Sequence, residues 1–134
     1  MEYLHSDITA AILKGFYAIC SNLTSGLDLS IYKNAVRIEL EFLGLVVEEN
    51  KSFPILYRNR NIGAITYDFL INNCVGLKIT NTQTDITENE INHFKCHLKE
   101  TPIEVALILN FGIEGHHRRV FLGNELKKRI SEGI

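Results

Sequence analysis

Asp68 and Lys78 stand on neighbouring segments of alternating polar and apolar residues. A strand-borne carboxylate beside a lysine is the start of a metal-dependent phosphodiesterase centre. In such a centre the carboxylate binds Mg²⁺, a second carboxylate two residues before the lysine completes the site, and the lysine orients or activates water. The period of two in a strand sets that second acid and the lysine on one face. Here the position is Gly76, which supplies no ligand. The same two residues can instead form a cross-strand ion pair, which needs no cofactor. Register governs how they face. A loop of Asn72-Asn73 alone pairs Asp68 with Leu77, whereas a loop of Asn72-Asn73-Cys74 sets Asp68 opposite Lys78.

A second chemistry is offered near the C-terminus. Arg118, Arg119, Lys127, Lys128 and Arg129 against Glu125 give that stretch a local charge of +4, so the net charge of −2 leaves −6 on the rest. Arg118, Arg119, Lys127 and Lys128 are therefore candidate phosphate contacts for a nucleic acid. A charged terminal helix that keeps the surface solvated has the same composition, and its basic residues favour the helix dipole. His116 and His117 are adjacent, so on a strand they point to opposite faces and do not pair on a metal. The cysteines Cys20, Cys74 and Cys96 include no C-x-x-C pair and read as buried free thiols. Phosphate-loop, dinucleotide, zinc-protease and serine-elbow motifs are absent.

The elements that must position these residues follow from periodicity. Ile8, Ile12, Phe16, Ile19 and Leu23 form the apolar stripe of a first helix, capped by Ser6 or Asp7. Ile31, Ala35, Ile38 and Phe42 form the stripe of a second, capped by Asp28 or Ser30 and stopped at Gly44. From Leu45 the period becomes two, predicting an antiparallel meander of about three strands. It has turns near Arg58 to Asn61 and at Asn72-Asn73, and Pro54 marks an edge strand. A third helix runs near Glu88 to Lys99, with Thr87 and Glu90 as a capping box. Val105 to Phe111 reads as a strand covered on both faces, Arg119 to Leu122 as a shorter strand and Glu125 to Ile130 as a terminal helical segment. A helix between two strands allows a parallel pair through a right-handed crossover. The fold class is α/β, a mixed central sheet flanked by helices.

The length of 134 residues suits one domain over 1–134. With 46% hydrophobic and 22% charged residues, disordered and fibrous classes are excluded. The small net charge excludes a polycation that holds nucleic acid by bulk attraction. No stretch approaches the roughly 20 apolar residues of a membrane span. Met1 to Asp7 lacks the basic and apolar regions of a signal peptide, so a cytoplasmic location is expected.

Several segments taken in order resemble the GxxExxY protein family. They are Gly26-Leu27-Asp28-Leu29-Ser30-Ile31-Tyr32, Ile38-Glu39-Leu40, Phe53 to Tyr57, Ile62-Gly63, Tyr67 to Ile71, Gly76-Leu77-Lys78 and Leu107 to Gly112. The resemblance runs from about Ile8 to Leu122 and implies a restriction-endonuclease-like, PD-(D/E)xK core. It also implies that two family acids are lost: the glutamate three after the glycine falls at Leu29, and the glutamate of E-x-K falls at Gly76. In the third helix, the histidine and glutamine often seen in the family fall at Glu90 and His93. Asp68 and Lys78 remain as a catalytic remnant, with Asp68 the one family metal ligand. The chain is expected to act by binding nucleic acid or protein, a second copy of itself included, with no cofactor. The alternative is a Mg²⁺-dependent nuclease using Asp68, Lys78 and a relocated acid, for which Asp28, Glu39, Glu41 and Glu90 come into question.

Overall fold

The computed structural model describes residues 4–112, 116–125 and 127. Helices α1 (Ser6–Asn22) and α2 (Leu29–Phe42) precede β1 (Val47–Tyr57), β2 (Arg60–Ile71) and β3 (Val75–Thr80). Helix α3 (Glu88–Lys99), β4 (Val105–Asn110) and β5 (His116–Phe121) complete the order. The strands form one sheet, β1-β2-β3-β4-β5. All neighbours are antiparallel except β3 and β4, which the α3 crossover makes parallel. Thus the mixed sheet with flanking helices is the architecture found.

Two apolar layers hold it. On one face α1 and α2 cover Phe69, Ile71, Val75, Leu77, Ile79, Val105, Leu107 and Leu109. On the other, Phe94 and Leu98 of α3 pack on Tyr67, Leu70, Ala106 and Ile108. β4 is buried at every position, which accounts for its unbroken apolar run.

Local chemistry sets the boundaries. Thr87 caps α3 by accepting the Glu90 N–H at 3.1 Å, the first half of a capping box, while the Glu90 carboxylate accepts the Thr87 hydroxyl in place of its backbone N–H. Gly44 ends α2 at φ +85°, a conformation that costs glycine little. Arg58 and Asn59 both take positive φ and join β1 to β2 as a two-residue hairpin, so Arg60 and Asn61 lie in the strand and not in the turn. Helix α1 starts at Ser6 behind a left-handed His5, without a side-chain cap from Ser6 or Asp7.

One sequence expectation is reversed. The buried residues of α2 are Tyr32, Val36 and Leu40, while Ile31, Ile38 and Phe42 of the predicted core stripe are solvent-exposed, Phe42 to 83% and Ile38 to 59%. The helix carries apolar residues on two sides, and periodicity alone does not say which side meets the sheet. Tyr32 settles it: its ring stacks on Phe111 at 4.7 Å, and its hydroxyl donates to the Thr24 carbonyl and accepts the Leu27 N–H. The strand β1 also differs, since polar residues 48–52 continue it without a break. As the outer strand it needs no regular apolar alternation, and it carries Pro54 as predicted. Cys96 is exposed and Cys20 and Cys74 are half-buried, so none is a fully buried thiol.

The β4 exit is the tightest backbone approach. A Cβ built on Gly112 would meet the Thr82 carbonyl oxygen at 2.0 Å, whereas one on Gly63 meets nothing within 4 Å. Gly112→Ala is expected to destabilise by at least the roughly 3 kcal/mol reached by severe overpacking. Gly63→Ala should stay within about 0.5 kcal/mol of the parent. Urea denaturation midpoints compare the two.

Candidate functional site

The ladder between β2 and β3 pairs Phe69 with Leu77, Leu70 with Gly76 and Ile71 with Val75. The loop is therefore Asn72-Asn73-Cys74, with both asparagines at positive φ, and by count Asp68 comes opposite Lys78. The ladder nevertheless ends before that pair. Tyr67 and Leu70 both lie in the α3-side cluster, and Phe69 and Ile71 in the α1–α2 cluster. Strict alternation fails at Asp68, although the β1–β2 register is the same on either side of it. On β1 the pairing with β2 skips Asn50, which has φ +52°.

At this break in alternation the Asp68 carboxylate turns to the α2 side. Its Oδ2 accepts the Ile79 N–H at 2.7 Å, and its Oδ1 lies 3.4 Å from the Lys33 ammonium. Asp68 thus occupies a small recess with Ser30, Lys33, Asn34, Glu49 and Asn50. Lys33 is one helical turn beyond Leu29, the position of a family acid, and on the same side of α2. Leu29 itself packs against the α1–α2 core. Glu49, the other acid in the recess, is held by Arg37 at 2.8 Å.

Lys78 faces the other way. Val75, Leu77 and Ile79 belong to the α1–α2 core, so Gly76, Lys78 and Thr80 point toward α3. There Lys78 lines a cavity of about 330 Å³ with Asn89, Glu90, His93 and His97 of α3, above Tyr67, Phe94 and Ile108. The His93 and His97 rings are 5.0 Å apart. Burial, then His93, then Lys78 hold His97 below the usual histidine range. The structure therefore does not bring Asp68 and Lys78 together. The cross-strand ion pair between them is not formed, because Asp68 pairs with Lys33 instead.

Gly76 is more than a vacant acid position. A Cβ there would lie 2.8 Å from the Tyr67 ring, which fills the space over the glycine. That ring is fixed from several sides: it stacks on Phe94 at 5.9 Å and its hydroxyl bonds Thr101 at 2.9 Å. Burial pushes the Tyr67 phenol up to about 12, with Thr101 opposing in part. Among the described residues no three His, Cys, Asp or Glu side chains gather as a metal site.

The basic patch is dispersed. Arg118 pairs with Ile108 and Arg119 with Leu107 in the β4–β5 register, so the two arginines lie on opposite faces of the sheet. Arg118 is exposed, whereas Arg119 donates to the Leu4 carbonyl at 3.0 Å and lies over Phe121. His117 bonds the Tyr17 hydroxyl on the α1 side, and His116 lies 3.6 Å from Asp85. Burial, then His116, then Arg118 hold His117 low. Lys127 is buried and donates to the Thr101 carbonyl at 2.9 Å and to the Ile103 carbonyl, so it is a structural tie and not a phosphate contact. Lys128 and Arg129 lie outside the described residues.

The order of elements, the strand-borne Asp68 and the G-x-K remnant on β3 are those of a nuclease-like domain. The family model of the PD-(D/E)XK nuclease superfamily matches residues 6–120. The chain belongs to this superfamily. No curated protein and no solved structure matches it significantly.

Lys33 and Glu49 were missed from sequence. Lys33 alone left a signal, being four residues from Leu29 and so on the same side of α2. Tyr67, on a strand of alternating apolar residues, reads from sequence as a core side chain, and it is buried as such.

Two predictions follow from these contacts. Asp68→Ala leaves the Ile79 N–H unpaired and is expected to cost about 1–3 kcal/mol. Lys33→Ala breaks a partly exposed ion pair and should cost at most about 1 kcal/mol. Chemical denaturation that ranks Lys33→Ala as the more damaging change would refute this account. Lys127 is lowered to about 8 by burial, against a smaller raising effect of Glu104. The unfolded lysine then holds its proton more tightly than the folded one, so stability should rise as pH goes from about 8 toward the ordinary lysine value near 10.5. The neutral amine still has two N–H groups for the two carbonyls. Lys127→Met should lower the melting temperature and flatten that rise.

Proposed function

We propose that this is a nuclease-fold domain that works by binding and not by hydrolysis. The observation that carries the reading is Lys33. Its ammonium stands against the one carboxylate retained from the family motif, while Tyr67 occupies the place of the other strand acid. Mg²⁺ requires oxygen ligands in near-octahedral array. The recess at Asp68 offers two carboxylates, each already matched by a basic side chain, and the lysine that would act on water faces the opposite side of the sheet. These donors do not fit the metal.

The partner favoured by the surface is protein. The dispersal of Arg118, Arg119 and Lys127 leaves Arg118, which donates to the His117 carbonyl at 3.1 Å, as the exposed remnant of the basic patch among the described residues, which weakens the case for nucleic acid. Exposed Ile31, Ile38 and Phe42 favour an apolar contact on α2. A second copy presents the same patch, so two copies can cover it across a two-fold axis. In this reading the domain is a cytoplasmic homodimer, and no helix among the described residues is long and apolar enough to cross a membrane.

An active nuclease keeps one specific support, that Glu49 shares the recess with Asp68 as a relocated acid. Of the acids considered from sequence, Glu41 faces Arg37 and Glu90 lines the α3-side cavity instead. Single- and double-stranded DNA and RNA with Mg²⁺ or Mn²⁺ should remain intact. Cleavage lost in both Asp68→Ala and Glu49→Ala would establish the enzyme instead. Sedimentation at rising concentration should show a dimer that Phe42→Glu returns to monomer; a parent chain that stays monomeric would remove the homodimer.

A further inference from the structure

The α3-side cavity has features that neither the decayed metal site nor the α2 surface uses. Its floor is apolar, made by Tyr67, Phe94 and Ile108, and its wall carries Lys78, His93 and His97. Three basic groups face one acid, Glu90, on this wall. Among the described residues, no ion pair involves Lys78, His93 or His97. Glu90 is on the wall, but its carboxylate accepts the Thr87 hydroxyl at the helix cap. A further wall residue, Thr80, has a buried hydroxyl with no hydrogen-bond partner.

Concavity, an apolar floor and a few convergent polar groups are what a small-molecule site requires. At about 330 Å³ the space lies near the lower end for ligand pockets, too small for a duplex and large enough for a ring with a charged head. We infer that this cavity binds a small organic anion. A carboxylate or phosphate head lies between Lys78 and the His93–His97 pair, and a compact apolar body rests on Tyr67, Phe94 and Ile108. An anion placed there favours the protonated form of His97, which burial and the neighbouring His93 and Lys78 oppose in its absence. It also supplies an acceptor or donor within reach of the wall that holds Thr80. This goes beyond the proposed binding function and rests only on the α3 side of the sheet.

Calorimetric titration of the full chain with phenyl phosphate, benzoate and inorganic phosphate tests it. At least one of the two aromatic anions should bind tenfold or more tightly than inorganic phosphate, and the pair distinguishes a phosphate from a carboxylate head. Lys78→Met and His93→Ala should each weaken that binding about tenfold or more, a loss of about 1.4 kcal/mol. Arg58→Ala, at the distant β1–β2 turn, should leave it unchanged. Imidazole NMR should show the His97 pKa rising when the aromatic anion binds. Equal affinity for inorganic phosphate, indifference to Lys78→Met, or displacement of the aromatic probe by an equal concentration of single-stranded oligonucleotide would overturn the inference. A chain that takes up the aromatic anion but does not self-associate keeps this site and loses the α2 dimer, and a dimer that ignores the anion does the reverse.

Discussion

The Asp68 carboxylate is the fixed point around which the two faces of this domain are arranged. It accepts the Ile79 N–H where the β2–β3 ladder stops, and it meets Lys33 from α2. A half-buried carboxylate with both oxygens engaged resists rotation, because turning it would strand an amide hydrogen and an ammonium together. Beside it the alternation of β2 breaks, and Tyr67 faces the α3 side, where its ring occupies the space above Gly76. One electrostatic contact and one aromatic ring therefore occupy opposite sides of the same sheet.

This also changes the meaning of the two missing glutamates. A glutamate at Gly76 would displace a ring tied to Thr101 and Phe94, and Leu29 is packed against the α1–α2 core. The fold survives because its apolar layers never depended on the acids.

Much of the fold could be read from the sequence because its signals are local. The capping box at Thr87, the stop at Gly44, Pro54 on an outer strand and the unbroken apolar β4 each identify themselves within a few residues. The side of α2 that is buried does not, because Ile31, Ile38 and Phe42 have the same spacing as a core stripe and only Tyr32 against Phe111 distinguishes them. Asp68 and Lys78 were legible as residues of interest, but their separation was not. It depends on the break in alternation at Asp68, opposite the left-handed Asn50, and a strand period carries no trace of such a break until the partner strand is known. The basic stretch misled for a related reason: alternate facing splits Arg118 from Arg119, and burial removes Lys127.

The outer strand β1 bears on how such a domain can meet its own kind. Strands at a sheet edge commonly recruit further strands, and a long one is an open invitation to add another chain. β1 is eleven residues long, yet it is interrupted by the left-handed Asn50 and by Pro54, which has no N–H to donate. Any added strand would lose registry at the first and a hydrogen bond at the second. The sheet is thereby closed to extension at that margin, where backbone pairing would otherwise be indifferent to side chains.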